Sequence, residues 1–331
     1  MRILFRFFCL LIIAGIYSCD TEIKEESGQA VTVEPITKFI LDADTGNEMD
    51  DLYAIVRCII DEDVELQALT SAHFNNTQLL TDSLWHIYPT KGINTVAISQ
   101  EINEQLLRNL NSMDIPHPFG AERIVGYSWG YYEGAPIPES PAIDMIIKEG
   151  LKHSPENKLN IICLGAVTNV AAAILREPSI ADNIRLFALT MKYNEEHEAW
   201  NKNSFNARND INALDQVLGN ERLELFVIPG NVSRTLTFNR KETIKKLEKW
   251  DHPVVDILER RWDEVSAGES WIMWDLALVE SVIHPEWSTI KLMDAPPENG
   301  GRDIYVYTDI DEEEIRREFW KQMNNYFDSG L

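Results

Sequence analysis

The feature that most limits the fold of this chain is a repeated alternation of short apolar, β-branched runs with amphipathic helical patterns. The runs predict strands, and the alternation is typical of a mostly parallel central sheet with helices on both faces. The predicted strands are 36–42, 64–70, 94–99, 159–164, 184–190, 223–228 and 303–308. The predicted helices are 50–60, 78–88, 101–110, 141–152, 168–176, 210–219, 240–250, 254–266 and 271–283, followed by a closing helix. We therefore expect a single Rossmann-like α/β domain over residues 35–331.

The N-terminal residues have the character of a targeting segment. Basic residues flank the apolar run 7–16, which is too short to span a bilayer, so residues 1–18 are predicted to be a signal peptide. A small residue before Cys19 resembles the lipobox of bacterial lipoproteins, which makes Cys19 a candidate lipidation site; the alternative is an ordinary cleaved signal. Residues 19–34 are polar and acidic and predict a flexible tether. From this pattern we expect the protein in the bacterial cell envelope, periplasmic or at the cell surface, with membrane contact only through the lipid.

Charge and cysteine content argue against a nucleic-acid-binding protein and against a disulfide-stabilised one. The net charge of −24 argues against nucleic-acid binding and for a requirement for cations wherever carboxylates crowd. Apart from Cys9 and Cys19, the cysteines are Cys58 and Cys163, each inside an apolar stretch. A disulfide framework is therefore not expected.

The segment 42–51, DADTGNEMDD, is the strongest functional signal in the sequence. It lies where the first predicted strand gives way to a helix, and its five acids are Asp42, Asp44, Glu48, Asp50 and Asp51. Carboxylates this close repel one another unless protons or a cation neutralise them. Acids at a helix N-terminus would explain Asp50 and Asp51 but not Asp42 and Asp44. Because all the donors are oxygens, the pattern predicts a Ca²⁺ site, with Mg²⁺ as the less favoured ion.

The same string has a second interpretation, the Asp-x-Asp-x-Thr strand end of haloacid-dehalogenase-type phosphotransferases. Thr45 falls one position too early for that pattern. The later lysine and paired aspartates of those enzymes are also not evident in the sequence, so the cation site is the favoured interpretation.

Several polar positions follow predicted strands directly. Asp44, Asn75, Leu164 and the loop after Thr190 all lie at strand ends. The carboxyl ends of parallel strands share one rim, where α/β folds bind ligands. These distant segments are therefore expected to converge. The two long irregular segments, 111–140 and 192–208, are expected to carry further functional residues.

The order of these motifs resembles the inosine-uridine-preferring nucleoside hydrolases, whose opening motif is a strand followed by Asp-x-Asp-Pro-Gly-x-Asp-Asp. Segment 42–51 keeps the acids, replaces the proline and lengthens the turn by two residues. The further matches, in chain order, are Asn75, the segment LNIICLGAVTNVAAA at 159–173, Phe205-Asn206 with Asp210, and Trp274-Asp275. The resemblance runs from about residue 36 to the C-terminus and implies a Ca²⁺-dependent N-glycosidase that splits ribonucleosides into ribose and free base.

The resemblance also implies roles for single residues. The ion ligands would be Asp44, Asp51, Asp275 and the backbone carbonyl of Leu164. The catalytic set would be Asp44 as general base, Asp50 as the residue that orients water, and Asn75. The substrate would be a small-molecule nucleoside bound by Asn75, Asn206 and Trp274. Asp42 would support the residues that bind ion and substrate, from a second layer around them.

Two departures from the family pattern leave the substrate and the activity open. Trp274 stands where some members have a histidine that protonates the leaving base, and Ser204 replaces a glutamate. Help for the leaving base could come instead from His73, His197, Tyr131 or Tyr132. One alternative is a surface lipoprotein that binds nucleosides or sugars without turnover, and another is a structural α/β domain with an acidic loop. The sequence is compatible with a homo-oligomer.

Overall fold

A mixed sheet of eight strands forms the centre of the protein, as the computed structural model shows for residues 30–74 and 92–329. In spatial order the strands are β1, β11, β12, β8, β5, β4, β2 and β3. Their bounds, together with those of two small two-stranded sheets, β6 with β7 and β9 with β10, are β1 Ala30–Val31, β2 Lys38–Ala43, β3 Glu65–Ser71, β4 Leu159–Cys163, β5 Ile184–Leu189, β6 Lys192–Asn194, β7 Ala199–Asn201, β8 Glu224–Ile228, β9 Thr237–Asn239, β10 Ser270–Ile272, β11 Ser288–Asp294 and β12 Asp303–Ile310.

Six neighbouring strands, from β12 to β3, pair in parallel, and β11 pairs antiparallel with both β12 and β1. The predicted mostly parallel sheet is thus confirmed. All six parallel strands end at one edge, so the loops that follow β2, β4, β5 and β8 meet there.

Helices cover both faces of the sheet. They are α1 Asp50–Ile60, α2 Thr95–Asn109, α3 Pro141–Gly150, α4 Thr168–Arg176, α5 Phe205–Asn209, α6 Ile211–Leu218, α7 Gly230–Ser233, α8 Arg240–Leu247, α9 Pro253–Glu264, α10 Trp274–Ile283 and α11 Glu312–Asp328. Side chains of β2 alternate between two cores: Phe39 and Leu41 pack with α1, α9, α10 and α11, whereas Ile40 packs with α3, α4 and α6. This alternation is the period-two pattern of a strand buried on both faces.

Two elements differ from their sequence predictions. Residues 94–99 were predicted as a strand from the β-branched residues Val96 and Ile98, but they begin helix α2. The side chain of Asn94 accepts a hydrogen bond from the backbone N–H of Ala97 at 3.2 Å and caps the helix. The helix predicted from residue 271 begins only at Trp274, because 270–272 form β10 and pair with β9.

Other differences concern the edges of the fold. Strand β1 lies within the segment predicted as a tether, and its pairing with β11 starts the sheet before residue 35. Strand β11 and both two-stranded sheets were not predicted. The predicted helix 78–88, Asn75, Cys19 and the signal peptide lie outside the described residues.

Two expectations about composition can be compared with the structure. Cys58 and Cys163 are buried free thiols, as expected. None of the helices in the described part of the chain combines the length and apolar character that a membrane-spanning segment needs.

Candidate metal and active site

The acidic turn between β2 and α1 is fixed by the elements around it. The backbone N–H of Asn47 donates to the carbonyl of Asp44 at 3.0 Å, which closes the turn. From α2, the Ser99 hydroxyl accepts from the Gly46 N–H at 3.3 Å. A side chain at Gly46 would have no room, because a Cβ there would lie 2.6 Å from the Phe74 ring. These contacts leave the turn that carries the acids of segment 42–51 little freedom to move.

Buried carboxylates from two helices meet next to this turn. Asp50 and Asp51 open α1, Asp275 opens α10, and one carboxylate oxygen from each lies within 4.8 Å of the others. The backbone N–H of Asp275 donates to Asp50 at 3.2 Å, which joins the two helix starts. Asp44 follows β2 directly and packs closely against Gly165. A Cβ atom at position 165 would lie 2.6 Å from the carboxyl carbon of Asp44.

Burial raises the pKa of every acid in this cluster, and repulsion from neighbouring acids raises it further for Asp44, Asp51 and Asp275. Burial, opposed by hydrogen bonds, raises the pKa of Asp50 to about 6. Burial and the charge of Asp50 raise the pKa of Asp51 to about 7. The pKa values of Asp44 and Asp275 are also raised, first by burial and then by the neighbouring acids. Without a counter-charge, the cluster therefore holds protons at pH values where aspartates are normally ionised.

Several oxygens of the cluster have no hydrogen-bond partner although they are buried. They are Asp44 Oδ2, Asp50 Oδ1, Asp51 Oδ1 and, on the same turn, Asn47 Oδ1. Buried polar atoms are normally paired, and unpaired ones are a sign of a missing water or ion. An all-oxygen set of this kind fits a hard divalent cation. Asp50 belongs to the tightest group, although the sequence predicted it to orient water rather than to bind the ion.

A cavity of about 180 Å³ opens beside the cluster at the carboxyl edge of the sheet. The acids Asp44, Glu48, Asp50, Asp51 and Asp275 line one part of it. Further lining comes from the ends of β4 and β5, through Leu164, Leu189 and Thr190, and from Asn206 and Trp274. The predicted convergence of strand ends is confirmed for the described residues, and Asn75 lies outside them.

Asn206 connects two of these strand ends. Its side-chain amide donates to the backbone carbonyl of Leu164, the predicted ion ligand, and to that of Leu189 at 2.9 Å. Ser204, which replaces the family's glutamate, has a structural contact: its hydroxyl accepts from the Met191 N–H at 3.0 Å. The end of β4 and the start of α5 are thereby held at the same point of the cavity wall.

Asp42 supports this region from inside the sheet. Its carboxylate accepts from the Thr70 hydroxyl at 2.5 Å and from the Asn169 amide at 2.8 Å. Burial, opposed by these hydrogen bonds, raises its pKa to about 7. Asn169 also donates to the Ser71 carbonyl at 3.0 Å, so Asp42 links β2, β3 and α4. These contacts are what a supporting residue behind the site would make.

Four residues were suggested as helpers of the leaving base, and all four lie in the described part of the chain. None of them, His73, His197, Tyr131 or Tyr132, lines the cavity. His73 is buried, and its Nε2 lies 2.9 Å from the hydroxyl of Thr168, which donates to Asp210 at 2.8 Å. Burial lowers its pKa to about 4. His197 is exposed, Tyr131 packs against the core and Tyr132 is exposed.

The cavity also contains residues that the sequence did not point to. Asn47 and Lys192 line it, as do Met191 and Gly230. Asn47 lies in the lengthened turn, where the opening motif specifies no residue type. Lys192 opens β6, within the segment 192–208 that was expected to carry functional residues, but nothing in the local sequence singles out this lysine.

Comparison with known proteins agrees with this geometry. The sequence profile of the inosine-uridine preferring nucleoside hydrolases matches residues 39–320. An inosine-uridine preferring nucleoside hydrolase from Crithidia fasciculata is 28% identical over 149 residues, which are 45% of this chain and 46% of that protein. The match thus spans about half of that relative's length.

Solved structures share the fold over most of their length. A plant nucleoside hydrolase, PpNRh1, superimposes with a TM-score of 0.64 at 17% identity, covering 87% of this chain and 99% of that one. A purine-preferring ribonucleoside hydrolase from Gardnerella vaginalis has a TM-score of 0.63 at 19% identity, covering 87% and 98%. With the profile match over most of its length, the chain belongs to the inosine-uridine preferring nucleoside hydrolase family.

Proposed function

We propose that this protein hydrolyses the N-glycosidic bond of ribonucleosides to give ribose and free base, and that it depends on Ca²⁺. The observation that carries the proposal is the group of buried, unpartnered carboxylate oxygens beside a cavity at the carboxyl edge of the sheet. Family membership gives the reaction class, and the all-oxygen donor set favours Ca²⁺. Mg²⁺ is the competing ion.

The residues that would hold the ion are Asp44, Asp51, Asp275 and the Leu164 carbonyl, and Asp50 is close enough to join them. When bound, the ion would supply positive charge that holds sugar hydroxyls and favours loss of a proton from water. Its positive charge would also favour the ionised carboxylates and so offset the burial and repulsion that raise their pKa values. The carboxylates could then all be ionised at neutral pH.

In the reaction, a water molecule attacks the anomeric carbon as the C–N bond breaks and the bonding electrons leave with the base. Asp44 would take the proton of that water at its free Oδ2, and Asp50 would hold the water through its free Oδ1. Asn206 would orient the ribose, together with Asn75. These assignments are proposals that the placement of Asp44, Asp50 and Asn206 around one cavity supports.

The departing base would meet Trp274, Phe205 and Lys192, which line the same cavity. The two aromatic rings offer stacking surfaces. Lys192 is exposed, and its ammonium group could donate a hydrogen bond to a base nitrogen or carbonyl that gains electrons as the bond breaks. We propose this combination in place of the histidine that some members of the family have at the position of Trp274.

A panel of nucleosides tests the proposal directly. The purified full-length protein should release free base from at least one purine, pyrimidine or nicotinamide riboside in the presence of Ca²⁺, and EGTA or Asp44→Asn should abolish the release. Asp256→Asn is a matched control, because Asp256 is an exposed acid in the first turn of α9. Ca²⁺-dependent nucleoside binding without product would favour the non-catalytic alternative, which the replacements at Ser204 and Trp274 suggest.

We also propose that Cys19 is lipidated and anchors the protein in the bacterial envelope. The support is the sequence pattern around Cys19. Mass spectrometry of the membrane fraction should find a diacylglycerol-modified N-terminal cysteine in the wild type. Cys19→Ala should release the protein from membranes, and membrane retention of that variant would contradict the proposal.

A further inference from the structure

The lengthened turn contains a buried oxygen at a position where the opening motif Asp-x-Asp-Pro-Gly-x-Asp-Asp specifies no residue type. Asn47 is 3% exposed, its Oδ1 has no hydrogen-bond partner, and the residue lines the cavity beside the acids. An asparagine that only stabilises a turn normally uses this oxygen to accept from a nearby backbone N–H. Here the turn is closed by the backbone of Asn47 instead, and the side-chain oxygen is left without a bond.

Arg261 holds this turn from α9. Its Nε donates to the carbonyl of Glu48 at 2.8 Å, and its Nη2 donates to the carbonyls of Gly46 at 2.9 Å and Thr45 at 3.4 Å. Arg261 is only 8% exposed, so the guanidinium group is committed to these contacts. Its ion pair goes to Glu264 on its own helix at 3.3 Å.

These contacts bracket Asn47 on both sides. Arg261 bonds the residues before and after it, and α2 holds the same stretch through a 2.5 Å hydrogen bond from the Thr45 hydroxyl to Asn103. A planar guanidinium can bond several carbonyls at once in a fixed arrangement, which a lysine ammonium cannot reproduce. The position of Asn47 is therefore set by tertiary contacts from α9 and α2.

We infer that Asn47 supplies a further neutral oxygen ligand to the cation site, and that Arg261 is the positioning residue that holds it there. This inference rests on the proposed function, because it deepens the same ion site. Ca²⁺ takes six to eight oxygen ligands, including asparagine carbonyls, so the acids and the Leu164 carbonyl leave room for one more. Asn47 adds an oxygen without adding negative charge to a crowded cluster.

Titration calorimetry of Ca²⁺ into the chelator-treated full-length protein tests the ligand. Asn47→Ala should weaken Ca²⁺ binding at least about tenfold, whereas Asn47→Asp keeps an oxygen there and should bind at least as tightly as wild type. Asn160→Ala is the matched control. Asn160 also has a buried, unpartnered Oδ1, but it lies in β4 next to the N-terminal end of the strand and should not affect binding.

The positioning role has its own measurement. Arg261→Lys keeps the charge but loses the multiple carbonyl contacts, and it should weaken Ca²⁺ binding by about 10- to 100-fold. Arg240→Lys, at a guanidinium that bonds the Ala267 carbonyl at 3.2 Å away from the site, should bind Ca²⁺ like wild type. Circular dichroism and melting in chelator would show that each variant is folded before binding is compared.

The outcomes separate this inference from the proposed function. Wild-type affinity in Asn47→Ala, or equally weak binding in Asn47→Asp and Asn47→Ala, would overturn the ligand role while leaving the enzyme intact. Wild-type affinity in Arg261→Lys would overturn the positioning role. A wild-type protein that binds no Ca²⁺ would overturn both the inference and the proposed calcium dependence.

Discussion

Trp274 is the residue at which this chain departs most visibly from its family pattern. It lies at the start of α10, next to Asp275 of the acidic cluster, and lines the cavity while half-buried. A tryptophan there cannot protonate a leaving base, because its indole nitrogen is a donor that does not titrate near neutral pH. Its large aromatic face can stack on a base instead.

We predict that the size of the aromatic surface at position 274 controls substrate binding. Trp274→Ala should raise KM for the preferred nucleoside by about tenfold or more, since base–aromatic stacking is worth about 1–3 kcal/mol. Trp274→Phe should keep most of the affinity. Steady-state kinetics of both variants measure this, and an unchanged KM in Trp274→Ala would show that the ring packs without contacting the base.

At the residue scale, the sequence predicted the acids of the site better than its neutral members. Repulsion among close carboxylates is visible in the order of the residues, so Asp44, Asp50 and Asp51 could be identified by charge density alone. Asn47 and Lys192 carry no such signal. Their position in the cavity depends on α9, α2 and the end of β5, which are distant in sequence.

At the scale of elements, the two helices that open at the acidic cluster are joined further along by a buried ion pair. Arg57 of α1 donates to Glu280 of α10 at 2.6 Å, and both side chains are fully buried. Arg57 also bonds Asp61 at 2.5 Å. Because Asp50 and Asp275 lie at the starts of these same helices, the pair helps to set the distance between them.

Breaking this pair should destabilise the protein strongly. Glu280→Gln leaves the Arg57 charge buried and incompletely paired, and we expect a loss of about 3–5 kcal/mol in the free energy of unfolding by urea. Arg57→Met combined with Glu280→Leu and Asp61→Asn should recover much of it, because the buried Asp61 also pairs with Arg57 and no charge of this group is then left. Asp182→Asn, at the exposed ion pair with Arg222, should cost about 1 kcal/mol or less. Equal losses at the two sites would contradict the role of burial.

A second link between elements depends on an uncharged histidine. His73 follows β3 and contacts Thr168 at the start of α4, which in turn bonds Asp210 at the start of α6. Burial lowers the pKa of His73 to about 4 from the ordinary value of 6.5. The unfolded chain therefore binds a proton below pH 6.5 that the folded chain does not, and stability falls as the pH decreases from 6.5 towards 4.

His73→Gln should remove this part of the acid sensitivity, because glutamine can donate to Thr168 without titrating. Between neutral pH and pH 4, the wild type should lose up to about 3 kcal/mol more of its free energy of unfolding than the variant loses. Urea unfolding over this pH range measures the shift, with the exposed His197→Gln as control. Parallel curves for wild type and His73→Gln would contradict the prediction.

The sequence predicted buried elements more accurately than edges. Helices α1 and α4 have the predicted bounds, since their apolar residues recur at helical spacing and strands flank them. Residues 94–99 were wrongly predicted as a strand because β-branched residues outweighed the Asn94 cap. Strand β11 was missed because it is mostly half-exposed and pairs antiparallel near the sheet edge, where the apolar pattern is weak.

At the scale of the whole molecule, the parallel sheet brings together acids that are over two hundred residues apart. Asp50, Asp51 and Asp275 are buried in one cluster within a chain of net charge −24. Such an arrangement is unfavourable for folding unless protons or a cation neutralise it. The stability of the whole protein should therefore depend on both pH and Ca²⁺.

The direction of this dependence follows from the raised pKa values. Burial raises the pKa of Asp51 to about 7, and burial with the charges of Asp50 and Asp51 raises that of half-buried Glu48 to about 8. The folded, ion-free protein then binds more protons than the unfolded chain. Its stability is highest below the ordinary carboxylate pKa and is lost as the pH rises through about 7 to 8.

We therefore predict that the melting temperature of the ion-free protein falls between about pH 6.5 and 8.5, and that Ca²⁺ restores it most at the higher pH, because the ion replaces the lost protons. His73 does not contribute in this range, since it is uncharged in both states above pH 6.5. Asp51→Asn should flatten the pH dependence and weaken the response to Ca²⁺. A melting temperature at pH 8.5 that is the same with Ca²⁺ and with chelator would mean that the cluster is neutralised by protons alone, so the carboxylates would not be a cation site.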